Sequence, residues 1–226
     1  MHNRVRFFSR IKNPAWFYSM KQKTQPLSST FGFDRGTPID RYYIENFLLE
    51  NSEVITGKCL EVRDNAYTLK YGKNLILSDI LDIDRENKKA TVYGDLRALE
   101  GIQDSYYNCI ILTQVLQFVD EYEKAISEIR RVLAPGGTLL ATVPAMSRID
   151  VRAGEWGDFW RFTKAGAWHV FQKYFKRQSI DVQARGNCLV GTGFWIGKSS
   201  EEISAKKLNQ DDPNFPVLIT IKAVKE

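Results

Sequence analysis

Residues 106–144 read YYNCIILTQVLQFVDEYEKAISEIRRVLAPGGTLLATVP. Two apolar runs, at 109–112 and 138–143, are typical of strands, and the first is apolar throughout, as a strand covered on both faces should be. Between them, residues 122–133 carry apolar side chains at helical spacing. The Pro-Gly-Gly at 135–137 ends this helix. The stretch therefore predicts two parallel strands joined by a helix.

The same alternation of strand and helix extends along the chain on both sides of this unit. It predicts an α/β fold with a doubly wound, mostly parallel seven-stranded sheet and helices on both faces. The predicted strands lie at 59–62, from 75, 90–93, 109–112, 138–143, 179–184 and 217–223.

Two further helices have recognisable starts. Thr37 is predicted to cap a helix that has Pro38 in its first turn and Asp40 near its positive end. Thr163 is predicted to cap a helix that continues to about Phe175.

Length and composition favour one domain with extra segments. The chain has 226 residues, of which 43% are hydrophobic. We predict a basic, aromatic extension and linker over 1–30, with the linker at 25–30, and the domain over 31–226. The sequence shows neither a signal peptide nor an apolar run of roughly 20 residues, the length that spans a bilayer. Its three cysteines lack metal-ligand spacing, so we expect no metal site, buried thiols at Cys59 and Cys109, and a cytoplasmic protein.

The net charge of +5 is concentrated at the N-terminus. Residues 1–23 hold six basic side chains, no acidic one, and interleaved aromatic residues. This pattern is compatible with contact to an anionic membrane surface, a glycolipid or nucleic acid. The simpler interpretation, which we favour, is an extension that packs its aromatic side chains on the domain. The remaining chain is near neutral, so we do not predict nucleic-acid binding.

In a doubly wound sheet, ligands bind beyond the carboxyl ends of the strands, where the strand order reverses. The sequence places the loop 61–68 after the first predicted strand, and Asp79, Asp82 and Asp84 follow about 20 residues later, a spacing typical of a carboxylate that binds ribose hydroxyls. The third predicted strand ends in Gly-Asp-Leu at 94–96. For each aspartate taken alone, an ordinary turn or cap residue is the favoured interpretation.

The order of these pieces resembles class I S-adenosylmethionine-dependent methyltransferases, which have a Rossmann-like fold. It is most similar to the methyltransferase-domain group often linked to glycan biosynthesis. The resemblance runs from about Phe31 to Val224. The matching stretches are DRGTPIDRYYIENFL (34–48), GKCLEV (57–62), DIDRENKKATVYGDL (82–96), YYNCIILTQVLQFV (106–119), ISEIRRVLAPGGTLLATVP (126–144) and WGDFWRFT (156–163).

The resemblance implies S-adenosylmethionine as the cofactor and gives roles to several acids. Glu61 would help hold the loop under the methionine portion of the cofactor. Asp82 would bind the ribose hydroxyls, with Asp79 as its rival. Asp95 would contact the adenine amino group, with Leu96 beside the ring.

It also implies contacts near the reacting methyl group. Thr113 and Gln114, which follow the fourth predicted strand, would line the cofactor near the sulfonium. Arg35 or Tyr42, on or near the first predicted helix, would meet the carboxylate of the cofactor or cover the site.

The chain departs from the family at the loop after the first strand. The usual pattern is Glu-x-Gly-x-Gly-x-Gly, but Arg63, Asn65 and Tyr67 occupy the three glycine positions. Glycine permits positive φ and close backbone approach. We expect Asn65 to supply the left-handed conformation and Arg63 to pair with the cofactor carboxylate. Because Gly72 follows closely, the next helix should be short.

The segment EWGDFWRFT follows the fifth predicted strand, where this fold holds its substrate. Trp156 and Trp160 could stack on a sugar ring, and Arg161 could bind an acidic group. Asp158 could act as a base for an acceptor hydroxyl. The alternative is that both tryptophans pack in the fold and Asp158 pairs with Arg161.

His169 is the second candidate base, with a packed histidine as its alternative. Together these features predict a transferase that methylates an oxygen of a sugar, glycan or other small-molecule acceptor. One alternative is a non-catalytic methyltransferase-fold binding module with an altered cofactor loop. An NAD(P)-dependent oxidoreductase is disfavoured, because its glycine fingerprint is absent and the Leu-x-Pro-Gly-Gly motif would be unexplained.

Overall fold

A computed structural model describes residues 24–226, except for the side chains of residues 155 and 156. The basic extension predicted over residues 1–23 lies outside this range. The strands are β1 (Gly57–Val62), β2 (Leu75–Asp82), β3 (Val92–Tyr93), β4 (Tyr107–Thr113), β5 (Leu133–Pro144), β6 (Ile180–Arg185) and β7 (Leu218–Val224). The α-helices are α1 (Ile39–Glu50), α2 (Ala66–Tyr71), α3 (Tyr122–Val132), α4 (Lys164–Phe171), α5 (Cys188–Ile196) and α6 (Ala205–Leu208).

All seven strands form one sheet in the order β3-β2-β1-β4-β5-β7-β6. Strand β7 runs antiparallel to β5 and β6, and the other pairs are parallel. The predicted doubly wound, mostly parallel sheet is confirmed. The chain starts in the middle at β1, moves outward to β3 and returns to β4 on the other side, so the strand order reverses between β1 and β4.

Helices cover both faces of the sheet, as predicted. On one face α3 and α4 pack against the larger core cluster, and on the other α1, α2 and α5 pack against the second. Strand β4 contributes to both clusters, because side chains alternate between faces and residues 109–112 are all fully buried. The thiols of Cys59 and Cys109 are buried and free, which confirms that prediction.

The Pro-Gly-Gly motif at 135–137 lies near the start of β5, where the pairing of β5 with β4 is irregular, and not at the end of α3, which already stops at Val132. Both glycines are required there. Gly136 adopts φ 75°, a left-handed conformation that glycine reaches without strain. At Gly137, a Cβ atom would lie 2.8 Å from the carbonyl oxygen of Ala134 and 3.0 Å from that of Tyr107. The two glycines therefore allow the irregular start of β5 to lie close against the backbone of β4.

Helix starts were predicted with mixed success. Thr163 caps α4 by accepting a hydrogen bond from the Gly166 amide at 3.0 Å, as predicted. The predicted cap at Thr37 is wrong, because α1 begins at Ile39 with Pro38 in the cap position and no side-chain cap. The backbone amide of Thr37 instead donates to Glu201.

The segment predicted as a linker is part of the folded domain. The amides of Leu27 and Ser28 donate to the carbonyl of Ile196 at the end of α5, and Ser28 is 3% exposed. The folded domain therefore starts earlier in the chain than the expected boundary at residue 30. Within residues 24–226, no helix has both the length and the apolar character needed to cross a membrane.

Candidate functional site

The loops that follow β1 and β2 are joined at the carboxyl edge of the sheet. The Arg63 amide donates to the Leu81 carbonyl at 2.9 Å. The Asn87 side-chain amide donates both to the Arg63 carbonyl at 2.8 Å and to Asp82 Oδ2 at 2.7 Å. The first residue after β1 and the last residue of β2 thus share one hydrogen-bonding partner.

Glu61 holds the loop after β1 through hydrogen bonds to the start of the next helix. Its side chain is 4% exposed and accepts hydrogen bonds from the amides of Tyr67 at 3.3 Å and Thr68 at 2.8 Å. The Thr68 hydroxyl donates to the same carboxylate at 2.8 Å. Burial raises the pKa of Glu61 to about 7, against the opposing effect of these hydrogen bonds. Glu61 therefore connects β1 to the first turn of α2. The helix α2 is short, as predicted.

The left-handed residue of this loop is Arg63, not Asn65. Arg63 has φ 73°, whereas Asn65 has φ −120° and donates its side-chain amide to Ser78 Oγ at 3.0 Å. The expectation for Asn65 was wrong because the chain turns at the first position after β1, where the backbone of Arg63 is held by Leu81 and Asn87. The Arg63 side chain is exposed.

Asp82, the last residue of β2, lies at the carboxyl edge with 8% exposure, and its Oδ1 accepts from the Asp84 amide at 2.9 Å. Its rival Asp79 lies three residues earlier in the strand. The hydroxyls of Thr91 and Tyr107 donate to the two oxygens of Asp79 at 2.7 and 2.9 Å. Of the two aspartates, Asp82 is therefore the one at the edge where a ligand would bind.

Asp95 follows β3 and is anchored by Arg97. The guanidinium donates to Asp95 through Nε at 3.1 and 3.0 Å and through Nη2 at 2.6 Å, and also reaches Asp120 at 2.8 Å. These hydrogen bonds hold the pKa of Asp95 below its ordinary value. The neighbouring Leu96 is 7% exposed. A fixed carboxylate beside an apolar side chain is compatible with the predicted adenine contact.

Thr113 ends β4 opposite Thr142 of β5, and the chain turns sharply after it. Gln114 has φ 54°, and its amide donates to the Thr142 carbonyl at 2.9 Å. The Gln117 side chain donates to Gln114 Oε1 at 3.0 Å. Such a conformation persists only where surrounding contacts hold it, so the Gln114 side chain is well fixed in direction.

Gln117, which sequence analysis missed, connects this loop to the predicted substrate segment. Its carbonyl accepts from the amides of Phe159 at 2.8 Å and Trp160 at 3.3 Å. The Trp160 indole donates to the Val119 carbonyl at 3.0 Å and packs edge-on against Tyr122. Trp160 remains 38% exposed. It combines a fixed orientation with an accessible surface.

Asp158 and Arg161 form the ion pair given above as the alternative. The guanidinium contacts both Asp158 oxygens, at 2.5 and 2.8 Å, and also binds the carbonyls of Ser147 and Arg148. The Asp150 amide donates to Asp158 at 2.9 Å. Burial opposes the charge of Asp158, but the hydrogen bonds from Arg161 and Asp150 outweigh it and lower its pKa. The pair holds the segment after β5 in place.

Within the described residues, His169 forms no hydrogen bond with Asp158 or Arg161. It is exposed on α4, which leads from the carboxyl end of β5 towards β6, and its Nδ1 lies 3.5 Å from the Gln172 side chain. The alternative of a packed histidine is therefore wrong. The backbone of Trp156 ends a 3₁₀-helical stretch, and its side chain lies outside the described residues.

The two residues predicted to meet the cofactor carboxylate have other partners. Arg35 forms an ion pair with Glu202, with contacts at 2.6 and 3.0 Å. The Tyr42 hydroxyl donates to Asn209 at 2.8 Å. Neither contact involves the loop after β1.

Arg41, the neighbour of Tyr42, does reach that loop. Its Nη1 donates to the Tyr67 hydroxyl at 3.2 Å, between the first turns of α1 and α2. Sequence analysis missed Arg41. To find it, one would have had to predict that residue 41 lies on the side of α1 that faces α2.

The φ angles of Arg63 and Asn65 predict that substitution by glycine has opposite effects at these two positions. Arg63→Gly should raise the free energy of unfolding by about 0.5–1 kcal/mol, because relief of the left-handed strain exceeds the entropic cost of glycine. Asn65→Gly should lower it by about 1–2 kcal/mol, because it loses the bond to Ser78 at a negative φ. Urea denaturation measures both. Stabilisation by glycine at residue 65 would contradict the assignment.

The raised pKa of Glu61 predicts a pH-dependent stability. Between the ordinary pKa of 4.5 and the folded value of about 7, the folded state binds more protons than the unfolded state. Stability should therefore fall as pH rises through this window, by at most about 3 kcal/mol. In Glu61→Gln, urea denaturation from pH 4.5 to 8 should show this fall diminished. An equal fall in both proteins would rule out Glu61 as its source.

Parts of the chain match known proteins in sequence. Residues 60–141 match the family described as "Methyltransferase domain". Two curated proteins of Dictyostelium discoideum match parts of the chain: "Probable polyketide synthase 5", 32% identical over 105 residues, and "Probable polyketide synthase 10", 30% identical over 83 residues. The matches cover 41% and 36% of this chain, but only 4% and 3% of the relatives.

Solved structures with similar architecture share little sequence. The [4+2]-cyclase SpnF superposes with a TM-score of 0.56 at 15% identity, covering 84% of each chain. A SAM-dependent methyltransferase from Archaeoglobus fulgidus has a TM-score of 0.54 at 14% identity, covering 82% of this chain and 94% of that one. One from Mesorhizobium loti has a TM-score of 0.54 at 10% identity, covering 82% and 98%. The chain thus has the Rossmann-like methyltransferase fold, and its segment 60–141 matches the methyltransferase-domain family.

Proposed function

We propose that the chain is an S-adenosylmethionine-dependent methyltransferase. The observation that carries the proposal is the sequence of acids at the carboxyl edge: Glu61 ends β1, Asp82 ends β2 and Asp95 follows β3. All three lie within the segment that matches the methyltransferase-domain family. The fold alone would not suffice, because one protein of similar architecture is named a cyclase.

The edge residues fit the cofactor chemically. A carboxylate has about four lone-pair positions. Each oxygen of Asp82 accepts one hydrogen bond from the residues that the structure describes, so it can also accept from the two ribose hydroxyls. Asp95 offers fixed acceptors for an adenine amino group, and Leu96 offers apolar surface for the ring. The bound cofactor would supply a methyl group on a positively charged sulfur.

The contribution of the protein to methyl transfer is alignment. Direct displacement requires the acceptor atom to approach in line with the bond that breaks, and holding reactants in this geometry accounts for much of the rate gain. Gln114, fixed by its backbone and by Gln117, would border the reacting groups. Gln117 also holds the segment of Trp160, so one residue couples the cofactor side of the site to the acceptor side.

The acceptor we propose is an oxygen of a sugar, a glycan or another small molecule. The support is the accessible indole of Trp160, with Phe159 beside it at a ring separation of 6.5 Å, because aromatic rings offer apolar faces to ligands. Asp158 would act mainly as a positioning residue through Arg161. Proton removal by Asp158 would require this ion pair to open, and its lowered pKa makes it a weak base.

The cofactor assignment predicts a specific binding defect. Asp82→Ala should weaken the affinity for S-adenosylmethionine at least about tenfold, because charge-assisted hydrogen bonds to the ribose contribute about 1.5–3 kcal/mol each. Isothermal titration calorimetry measures the affinity. Asp84→Ala, which changes an exposed acid two residues away, is the matched control and should bind normally. Unchanged binding by Asp82→Ala would contradict the role of Asp82, and no binding by the unmodified chain would favour a non-catalytic module.

The acceptor assignment predicts a defect in a different constant. With an acceptor found by screening sugars and small hydroxylated compounds for S-adenosylhomocysteine release, Trp160→Ala should raise the acceptor KM about three- to tenfold. The Kd for S-adenosylmethionine should not change. Trp195→Ala alters a similarly exposed tryptophan on α5 and serves as the control. Equal effects of the two substitutions would remove the support for an acceptor surface at Trp160.

A further inference from the structure

The first turn of α2 has no free amide for an anionic ligand. The Ala66 amide donates to Asp64 Oδ1 at 3.0 Å, and the amides of Tyr67 and Thr68 donate to Glu61. Side chains of the protein thus occupy the donors that a helix start offers. A carboxylate bound beside this loop needs a donor from elsewhere.

Arg41 is a cation with unused donors next to this loop. A guanidinium has five N–H donors, and within residues 24–226 that of Arg41 makes one hydrogen bond, to the Tyr67 hydroxyl. Its side chain forms no ion pair within that range, although Asp40 and Asp64 are close enough to favour its charge. Because the Tyr67 hydroxyl accepts from Arg41, its own proton remains available to a second acceptor.

We propose that Arg41 binds the carboxylate of the methionine portion of S-adenosylmethionine, with the Tyr67 hydroxyl as a second donor. This assignment rests on the proposed function. Glycines in this loop would let the cofactor approach the backbone. In this chain the side chain of Arg41, from α1, would contact the cofactor instead. The planar guanidinium suits a carboxylate because it can donate two parallel hydrogen bonds.

Two ligands that differ only in the amino acid portion test the assignment. S-adenosylhomocysteine carries that portion, whereas 5′-methylthioadenosine keeps the nucleoside and the sulfur but lacks it. By calorimetry, Arg41→Ala should weaken S-adenosylhomocysteine at least about tenfold and leave 5′-methylthioadenosine within about twofold. Arg41→Lys should lose part of the affinity, because lysine keeps the charge without the planar fork. Tyr67→Phe should give a smaller loss, again for S-adenosylhomocysteine alone.

The matched control is Lys70→Ala. Lys70 of α2 pairs with Glu45 of α1 at 2.8 Å, so it joins the same two helices without touching the proposed carboxylate site. It should leave both affinities unchanged. Arg63→Gly, which removes the other arginine of the loop, should do the same if Arg41 is the carboxylate partner.

Each outcome has a separate meaning. Equal weakening of both ligands by Arg41→Ala would show a structural role and overturn the assignment, as would unchanged affinity for S-adenosylhomocysteine. A selective loss in Arg63→Gly instead would transfer the role to Arg63. If the unmodified chain bound neither ligand, the proposed function itself would fail, and the assignment with it.

Discussion

Strand β1 is paired on both sides, with β2 and with β4, and this position determines the chemistry at its end. Glu61, next to last in the strand, is aligned with Ile80 on one side and Ile111 on the other. Its carboxylate is consequently buried, and a buried charge needs hydrogen-bond donors. The chain supplies them from Tyr67 and Thr68, which fixes where α2 starts. The loop between the strand and the helix is therefore short and tightly held.

In this loop, side chains occupy the three positions at which the family that the chain resembles usually has glycines. Arg63 takes the left-handed conformation at an energetic cost, Asn65 turns inward to Ser78, and Tyr67 meets Arg41. Each of the three residues that stand in place of a glycine thus has a defined conformation or contact in the loop. Beside the loop, the half-buried guanidinium of Arg41 makes one hydrogen bond within residues 24–226. The altered loop is thus compatible with a rebuilt cofactor site.

Much of the fold could be predicted from the sequence because its signals are local. The fully apolar run at 109–112 and the Pro-Gly-Gly turn predicted a parallel strand pair, and both arise from neighbouring residues. The predicted Thr37 cap was wrong because α1 begins at Ile39 with Pro38 at the cap position, and Glu201, far along the chain, binds the Thr37 amide. Long-range contacts also explain why the sequence did not predict the roles of Arg41 and Gln117 or the partner of Arg35. Each depends on which distant segments the fold brings together.

The ion pair of Asp158 and Arg161 bears on the role of the segment after β5. A free carboxylate after β5 would suggest a base, but a carboxylate with three hydrogen bonds is better suited to holding its segment in place. Gln117 fastens the same segment to the loop after β4. Methyl transfer from a sulfonium needs less assistance with charge than with alignment, since the leaving group departs neutral. In the proposed site, a segment held in place and joined to the loop after β4 would meet that requirement, and the accessible surface of Trp160 would recognise the acceptor.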